Sequence, residues 1–262
     1  MSKIGIASKQ AGRKKSGVPA VEKALDVLEL LADVPQGMTM NELVDAMDRT
    51  MGEIYRIVIY LTDRGFLRQD QVSSRYALTL KMFELSHRHE PTENLILTAS
   101  PFLERFSAQV KQSCHLCVLS GEFVLVLAAS RSPLPAGYAV RTGGLFPIEH
   151  SSSGQVILAF SPEDVQQRYL ASFGTQERQK ATNRLARIRD AGYADSPSNM
   201  IAGVRDLCSP VFDSRGVVAA VATGYISQVS EAPGIESART ALASAAKQLS
   251  KALGFRNAMH CQ

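Results

Sequence analysis

The sequence predicts an α+β protein with an N-terminal winged helix-turn-helix and a C-terminal domain of helices around a mostly antiparallel sheet. The chain has 262 residues, enough for one large domain or two small ones. Three helical patterns and two strand-like runs follow Pro19 in close succession, which is the layout of a winged helix-turn-helix. The rest of the chain places strand-like runs in pairs with helical patterns between them, an arrangement typical of an α+β domain.

The first three helices begin and end at recognisable signals. The first pattern of apolar residues at helical spacing ends before Pro35. Thr39, followed three residues later by Glu42, is a capping box for the second helix. The third helix is expected over about residues 51–64 and is ended by Gly65. The runs GFLRQD and RYALT, joined by QVSS, are then expected to pair as the wing hairpin.

The third helix has one apolar side and one outer side. Its apolar side is expected to pack on the first two helices and comprises Ile54, Ile57, Val58 and Leu61. On the outer side Gly52 permits a close approach, while Arg56 can reach a guanine edge or a phosphate and Glu53 can accept from a cytosine amino group. The arginines of the wing, Arg68 and Arg75, are expected on backbone phosphates. The predicted DNA contacts are Arg49, Thr50, Gly52, Glu53, Tyr55, Arg56, Arg68 and Arg75.

The N-terminal segment, residues 1–17, is basic without an acidic residue and is expected to be a disordered arm. It either contacts a polyanion or is a solvated terminus, and composition leaves both open. The arginines of the helix and wing could likewise be surface charges of any small helical domain. The combination of helix order, hairpin and basic arm favours double-stranded DNA as the partner.

The second half is expected to contain strands at CHLCVLS, EFVLVLAAS and GYAVRTG, the last being residues 137–143. A helix is expected to start with SSSGQVILAF, and further helices are expected over SPEDVQQRYLASF, over TQERQKATNRLARIRDAG up to Gly192 and over IESARTALASAAKQLSKALG, with a hairpin over GVRDLCSPVFD and VVAAVATGYIS. The helical stretch 80–110 is expected to have apolar surface for a dimer interface, from Leu85, Leu95, Leu97, Phe102, Leu103 and Phe106.

Composition excludes some classes of protein. No apolar run approaches the ~20 residues of a membrane span, and the first residues lack the apolar core of a signal peptide. A cytoplasmic location is therefore expected, with no membrane partner. The cysteines, Cys114, Cys117, Cys208 and Cys261, are then expected to be reduced.

Enzyme and metal sites are not predicted. The sequence has no nucleophile elbow, phosphate loop or HExxH motif, and no third group can be placed to orient His150 beside the serines. Cys114 and Cys117 have CxxC spacing but point to opposite faces of a strand, whereas His115 and Cys117 share a face. Zinc would need further ligands, so buried cysteines are the favoured interpretation and a metal stays the alternative. No cofactor is implied.

Several motifs in order resemble the IclR family of bacterial transcriptional regulators. They are AVEKALDVLELLAD, the recognition stretch EIYRIV, the wing GFLRQD and RYAL, then LFPIEHSSSGQVILA and GYADSPSNMIAGVRDLCSPVFDSRGVVAAVATG. The resemblance covers about residues 18–255. The chain departs from the family pattern at Glu53, Glu149, Gln155 and Asn199, and Ala222 and Gly224 replace hydroxyl-bearing residues of some members.

The resemblance implies a GAF-like effector-binding domain in the second half. The implied organisation is a basic arm at 1–17, the winged helix-turn-helix at 18–80, a linker helix at 81–92, the effector domain at 93–255 and a tail at 256–262. The implied effector contacts are Ser152, Ser153, Gly154, Asp206, Cys208, Ala222 and Gly224. Independently, HSSSGQ places free N–H groups at a helix N-terminus, which suits a carboxylate, although capping by one serine is the commoner meaning. An aspartate facing the cavity favours a ligand with hydroxyl or amino groups.

The expected function is a ligand-responsive regulator that binds a palindromic DNA operator as a homodimer or homotetramer, with an aromatic or hydroxy organic acid as effector. The first alternative is a small-molecule-binding protein that acts through protein contacts without DNA. The second is an enzyme, which the missing catalytic pattern disfavours.

Overall fold

A computed structural model describes residues 17–87, 90–228 and 232–255 of the chain. The chain divides after His89 into two compact units. The predicted basic arm, apart from Gly17, and the predicted tail at 256–262 lie outside the described residues. No helix in the described ranges is long and apolar enough to cross a membrane.

The first unit is a three-helix domain with a two-stranded wing. Its elements are α1 (Pro19–Ala32), α2 (Met40–Met47), α3 (Met51–Asp63), β1 (Leu67–Gln69), β2 (Tyr76–Leu78) and α4 (Lys81–His87). The predicted order of helices and hairpin is confirmed, and β1 pairs with β2 in antiparallel register from Leu67 opposite Leu78 to Gln69 opposite Tyr76. Gly65, at φ 75°, reverses the chain between α3 and the wing, in a conformation that glycine adopts without a steric penalty.

Capping boxes begin both α2 and α3. The Thr39 hydroxyl accepts from the Glu42 N–H while the Glu42 carboxylate accepts from the Thr39 N–H, as the sequence predicted. Thr50 and Glu53 form the second box. The two helices therefore have defined starting points, which fix the turn between them.

The core of the first unit confirms the apolar side predicted for α3. Ile54, Val58 and Leu61 are buried against residues of α1 and α2, and Ile57 is partly buried at the edge of the same cluster. The buried cluster also includes Val27, Leu31, Leu43, Leu67 and Tyr76. Each such large side chain contributes about 1.5–3 kcal/mol when it leaves water, so the core holds α3 with its opposite side outward.

The second unit consists of a six-stranded antiparallel sheet with helices on both faces. Its elements are α5 (Glu90–Val110), β3 (Cys114–Ser120), β4 (Phe123–Ser130), β5 (Leu145–Pro147), α6 (Ser152–Phe160), α7 (Glu163–Leu170), α8 (Thr175–Ala191), β6 (Ala194–Pro197), β7 (Arg205–Asp213), β8 (Gly216–Tyr225) and α9 (Ile235–Ala252). The strand order is β5-β4-β3-β8-β7-β6. This is the α+β architecture expected from the sequence.

Two separate cores cover the two faces of the sheet. On one face, side chains of α5 and α9 pack with Leu116, Leu207 and Val221. On the other, α6 and α8 pack with Cys117 and Val126. Cys114 belongs to the first core and Cys117 to the second, which confirms that the two thiols point to opposite faces of β3.

Two strand assignments at the sheet edges differ from prediction. Residues 137–143 form no strand; the ladder to β4 starts only where Gly143 N–H donates to the Val126 carbonyl, and β5 follows at Leu145–Pro147. Gly143 and Gly144 make the turn that aligns β5 with β4. The apolar pattern of residues 137–143 therefore did not show where the pairing with β4 begins. The edge strand β6 was not predicted, because its sequence ADSP has the composition of a turn.

The apolar surface predicted over 80–110 is smaller than expected. Leu103 and Phe106 are buried in the first core of the second unit, and Leu95 and Phe102 pack against that core. Leu103 and Phe106 are therefore not available to a partner, whereas Leu95 and Phe102 are only partly buried. Leu85 and Leu97 remain substantially exposed.

Candidate DNA-binding surface and effector cavity

The outer side of α3 presents polar and aromatic groups to solvent. Tyr55 and Arg56 are exposed, and so are Arg49 and Thr50 just before the helix. Arg56 has no hydrogen-bond or ion-pair partner among the residues that the structure describes. Its guanidinium is therefore available to an external acceptor, and guanine edges and phosphates are acceptors of matching geometry.

Gly52, in the first turn of α3, has open space where a side chain would be. A Cβ built on it meets no atom within 4 Å. Packing within the chain does not require glycine at this position. The missing side chain instead lets an external surface come close to the backbone at the positive end of the helix.

The Glu53 carboxylate is bonded to other residues of the first unit. Its Oε1 lies 2.5 Å from Lys23 Nζ of α1, and its Oε2 accepts from Thr50 N–H at 3.1 Å and from the Thr50 hydroxyl at 2.8 Å. The ammonium of Lys23 and these hydrogen bonds lower the pKa of Glu53 to about 2. The carboxylate thus caps α3 and joins it to α1. The prediction that it also reads a base stays a prediction.

The two wing arginines have different surroundings. Arg68 is exposed on β1 and makes no hydrogen bond or ion pair within the described ranges. Arg75 donates both Nη groups to the Glu42 carboxylate at 2.9 Å, and Nη1 also donates to the Gly37 carbonyl at 2.8 Å. Arg75 therefore ties the wing to the start of α2, a contact that its predicted phosphate role did not anticipate.

A small cavity of about 50 Å³ opens where α6 meets the sheet. Neighbouring positions of β3, β8 and β7 form one wall of this cavity. In the register of these strands, Asp206 lies opposite Gly224, and Ala222 lies between His115 and Cys208. Six of the seven predicted effector contacts line it, namely Ser152, Ser153, Asp206, Cys208, Ala222 and Gly224.

Gly154 lies behind the cavity wall rather than in it. A Cβ added there would sit 2.5 Å from Val124 Cγ2 and 3.3 Å from Ile148. Glycine is needed at this position because α6 packs closely on the sheet. Its predicted contact with an effector stays a prediction, which only its backbone could make.

Sequence reasoning missed several lining residues. Tyr138, Val140, Phe146, His150, Ser151, Ser198, Met200 and Thr223 also line the cavity. The sequence treated His115 only as a possible metal ligand, whereas its ring faces this space. Tyr138 belongs to the segment predicted as a strand, and no local pattern indicated that it turns inward.

Asp206 is the half-buried carboxylate of the cavity. The Ser152 hydroxyl lies 3.1 Å from its Oδ2 and can donate to it, and the Ser196 hydroxyl is 3.3 Å from that of Ser152. Burial raises the pKa of Asp206, and hydrogen bonds from Ser152 and Ser198 offset part of that rise. No lysine or arginine is among the described residues that line the cavity.

His115 and the thiols near the cavity are electrically neutral at physiological pH. Burial lowers the pKa of His115 to about 4, raises that of Cys117 to about 12, and raises that of Cys208 well above its ordinary value. In the described part of the chain, no three His, Cys, Asp or Glu side chains are grouped to hold a metal ion.

The N-terminal turn of α6 forms one side of the cavity. The Ser151 hydroxyl accepts from the Gly154 N–H at 3.2 Å, which is the predicted capping by one serine. The N–H groups of Ser152 and Ser153, at the first two positions of α6, have no acceptor within the helix. They and the positive end of the helix dipole are suited to a carboxylate.

A winged helix-turn-helix joined to a domain with a polar internal cavity defines a DNA-binding regulator with an effector domain. Family comparisons agree. The model of the bacterial transcriptional regulator IclR C-terminal domain matches residues 91–251, and that of the IclR helix-turn-helix domain matches residues 20–71. The chain belongs to the IclR family, a family of transcriptional regulators and not of enzymes.

Two curated relatives come from Escherichia coli (strain K12). The HTH-type transcriptional regulator KdgR is 25% identical over 226 residues, covering 82% of this chain and 84% of that protein. The HTH-type transcriptional regulator XynR is 24% identical over 248 residues, covering 91% and 98%.

Solved structures share the fold. The Thermotoga maritima IclR structure has a TM-score of 0.70 at 22% identity and covers 90% of this chain and 98% of that one. An IclR homolog from Microbacterium hydrocarbonoxydans, in complex with 4-hydroxybenzoate, has a TM-score of 0.75 at 22% identity, with 89% and 98% covered.

Proposed function

We propose that a homodimer of this chain binds a palindromic operator through the outer side of α3, and that a small organic acid in the cavity changes its affinity for DNA. The observation that carries the DNA part is the exposed guanidinium of Arg56, which has no partner among the described residues, on a helix whose opposite side is buried. Two copies would read two half-sites related by the symmetry of the dimer. A tetramer built from two such dimers is the larger assembly compatible with this proposal. The protein would act in the cytoplasm, where bacterial DNA lies.

The DNA contacts would divide by role. Arg56 would contact a base edge or phosphate in the major groove, with Gly52 allowing the duplex close to the helix. Arg49, Thr50 and Tyr55 surround that site with exposed side chains, and Arg68 would contact a phosphate from the wing. Arg75 would help by holding the wing in place through Glu42.

The acid would bind with its carboxylate at the first turn of α6. Ser152 and Ser153 offer backbone N–H groups and hydroxyls there. The 4-hydroxybenzoate complex of the Microbacterium hydrocarbonoxydans homolog supports an aromatic or hydroxy acid as the class of effector.

Gly52→Ala separates DNA contact from folding. Alanine favours a helix over glycine, and its Cβ meets open space in this first turn, so the variant should be at least as stable to heat as wild type. We expect its affinity for DNA to fall all the same, because the Cβ projects toward the duplex. Electrophoretic mobility shift with DNA from upstream of the protein's own gene, alongside thermal unfolding, measures both quantities.

The same mobility-shift assay distinguishes DNA binding from the alternative function, which is a small-molecule-binding protein that acts through protein contacts. A folded wild-type protein that binds small acids but no DNA, neither the upstream fragment nor sequences selected from a random library, would act through protein contacts instead.

A further inference from the structure

We infer that Asp206 is the specificity-determining residue of the cavity, and that the cavity selects organic acids carrying a hydrogen-bond donor in addition to their carboxylate. The inference rests on the proposed acid effector and makes it more specific. The donor is a hydroxyl or an amino group, since both present an N–H or O–H to a carboxylate.

The first step is the position of Asp206 relative to α6. Asp206 lies on β7 opposite Gly224 of β8, and its register partner on the other side is Ser196 of β6. Its carboxylate meets the Ser152 hydroxyl at 3.1 Å. The acceptor and the first turn of α6 therefore line the same cavity, so one ligand can touch both.

The second step is charge. Apart from Asp206, the titratable groups lining the cavity in the described ranges are Tyr138, the imidazoles of His115 and His150, and Cys208, with no lysine or arginine. A half-buried carboxylate without a cation beside it is costly unless hydrogen bonds satisfy its oxygens. The hydroxyls of Ser152 and Ser198 satisfy part of that need.

The third step is what an incoming ligand does to this arrangement. An acid without a donor would place apolar atoms against Asp206 and leave an acceptor unsatisfied. An acid with a hydroxyl or amino group would instead donate a hydrogen bond to the Asp206 carboxylate. That bond would take the place of the one from water that the ligand displaces. Hydrogen bonds to charged groups are strong enough to make the donor-bearing acid bind about tenfold or more tightly.

His115 adds to the same preference. Its ring faces the cavity and has no hydrogen-bond partner among the described residues. Because its pKa is about 4, it offers a neutral donor and acceptor rather than a cation. Among the described residues, the lining of the cavity therefore has no lysine or arginine that would hold a bare anion by charge.

Isothermal titration of the full-length protein with matched acids tests the inference. The pairs are 4-hydroxybenzoate against benzoate, 4-aminobenzoate against 4-methylbenzoate, and glycerate against propionate. In the wild type we expect the donor-bearing member of at least one pair to bind about tenfold or more tightly, and the ratio to fall toward one in Asp206→Ala. Asp213→Ala removes a carboxylate from the same strand outside the cavity and should keep the wild-type ratio.

Asp206→Asn is the second variant of the test, for the case in which Asp206→Ala does not fold. It keeps a carbonyl acceptor and the shape of the side chain, so we expect an intermediate ratio with an unchanged unfolding temperature. Equal binding of paired acids by the wild type, or an undiminished ratio in Asp206→Ala, overturns the inference and leaves the acid effector standing. If no acid of the panel binds a folded wild-type protein, the acid effector itself fails, and the inference with it.

Discussion

Lys23 Nζ on α1 lies 2.5 Å from Glu53 Oε1 on α3, so an ion pair joins the first helix to the start of the helix that carries Arg56. Thr50 donates to the other oxygen of the same carboxylate. The negative charge is also favourable at the positive end of α3. Glu53 thus positions the recognition helix whatever it does on DNA.

Removing Lys23 should raise the pKa of Glu53. The folded-state pKa, about 2, lies below the ordinary 4.5, so this carboxylate contributes stability above pH 4.5 that is lost as the pH falls toward 2. In Lys23→Met the pKa should move upward, and the loss should begin at higher pH. Carbon-13 NMR titration of the Glu53 carboxyl measures this directly. Lys247→Met, far along α9, serves as the control, and an unmoved Glu53 pKa in Lys23→Met would contradict the ion pair.

The wing arginines should differ in their effect on the salt dependence of DNA binding. Removing one phosphate contact makes the negative slope of log affinity against log salt concentration shallower by about 0.9. We expect Arg68→Ala to show that reduction with little loss of stability, because Arg68 is exposed and makes no hydrogen bond or close ion pair within the described chain, its charge acting only as the smallest of the effects that lower the pKa of Asp70. Arg75→Ala should instead lower the urea midpoint of the first unit, since it removes the pair with Glu42 and the hydrogen bond to the Gly37 carbonyl. Anisotropy titrations at several salt concentrations and urea unfolding give the two values; an equal slope change for both variants argues against this division.

Tyr138 should restrict entry of the effector. The cavity volume, about 50 Å³, is below the ~300 Å³ at the lower end of ligand pockets. The Tyr138 ring packs on Gly224, where an added Cβ would come 2.5 Å from Tyr138 Cδ1. Tyr138→Ala should therefore bind the best acid of the panel several-fold more tightly than wild type, as measured by calorimetry. Phe123→Ala, at an exposed position outside the cavity, is the control. Weaker binding in Tyr138→Ala would mean that the ring contacts the ligand instead of blocking it.

The core cysteines should resist alkylation in the folded protein. Burial raises the pKa of both Cys114 and Cys117 to about 12, so at pH 8 roughly one thiol in ten thousand is ionised. Iodoacetamide at pH 8, followed by peptide mass spectrometry, should label Cys114, Cys117 and Cys208 only after guanidinium unfolding. Rapid labelling of these three in the native protein would show that the sheet opens readily.

The parts of the fold that short-range patterns specify were predictable. The capping box at Thr39 and Glu42, the inner face of α3 and the wing hairpin depend on residues a few positions apart, and the structure confirms them. The edge strands β5 and β6 were missed or misplaced because glycine turns and neighbouring strands define them, not their own alternation.

The cavity was predictable only in part. Family resemblance indicated Asp206, Ser152 and Ser153, which line it. Tyr138 and His115 reach it through long-range contacts that no local spacing encodes. In the same way, the ion pair between Lys23 and Glu53 joins residues 30 positions apart, so the sequence suggested a free base-reading carboxylate where the fold has an occupied one.

The most direct test of the account is the affinity of Arg56→Ala for operator DNA. Fluorescence anisotropy would compare wild type, Arg56→Ala and Arg187→Ala, a variant that removes the same charge from α8, on a selected operator and a scrambled duplex. Loss of a bidentate base contact costs about 1–3 kcal/mol, so Arg56→Ala should bind the operator about tenfold or more weakly and lose its preference over the scrambled duplex, while Arg187→Ala keeps both. Wild-type affinity and preference in a correctly folded Arg56→Ala would contradict recognition of DNA by this helix.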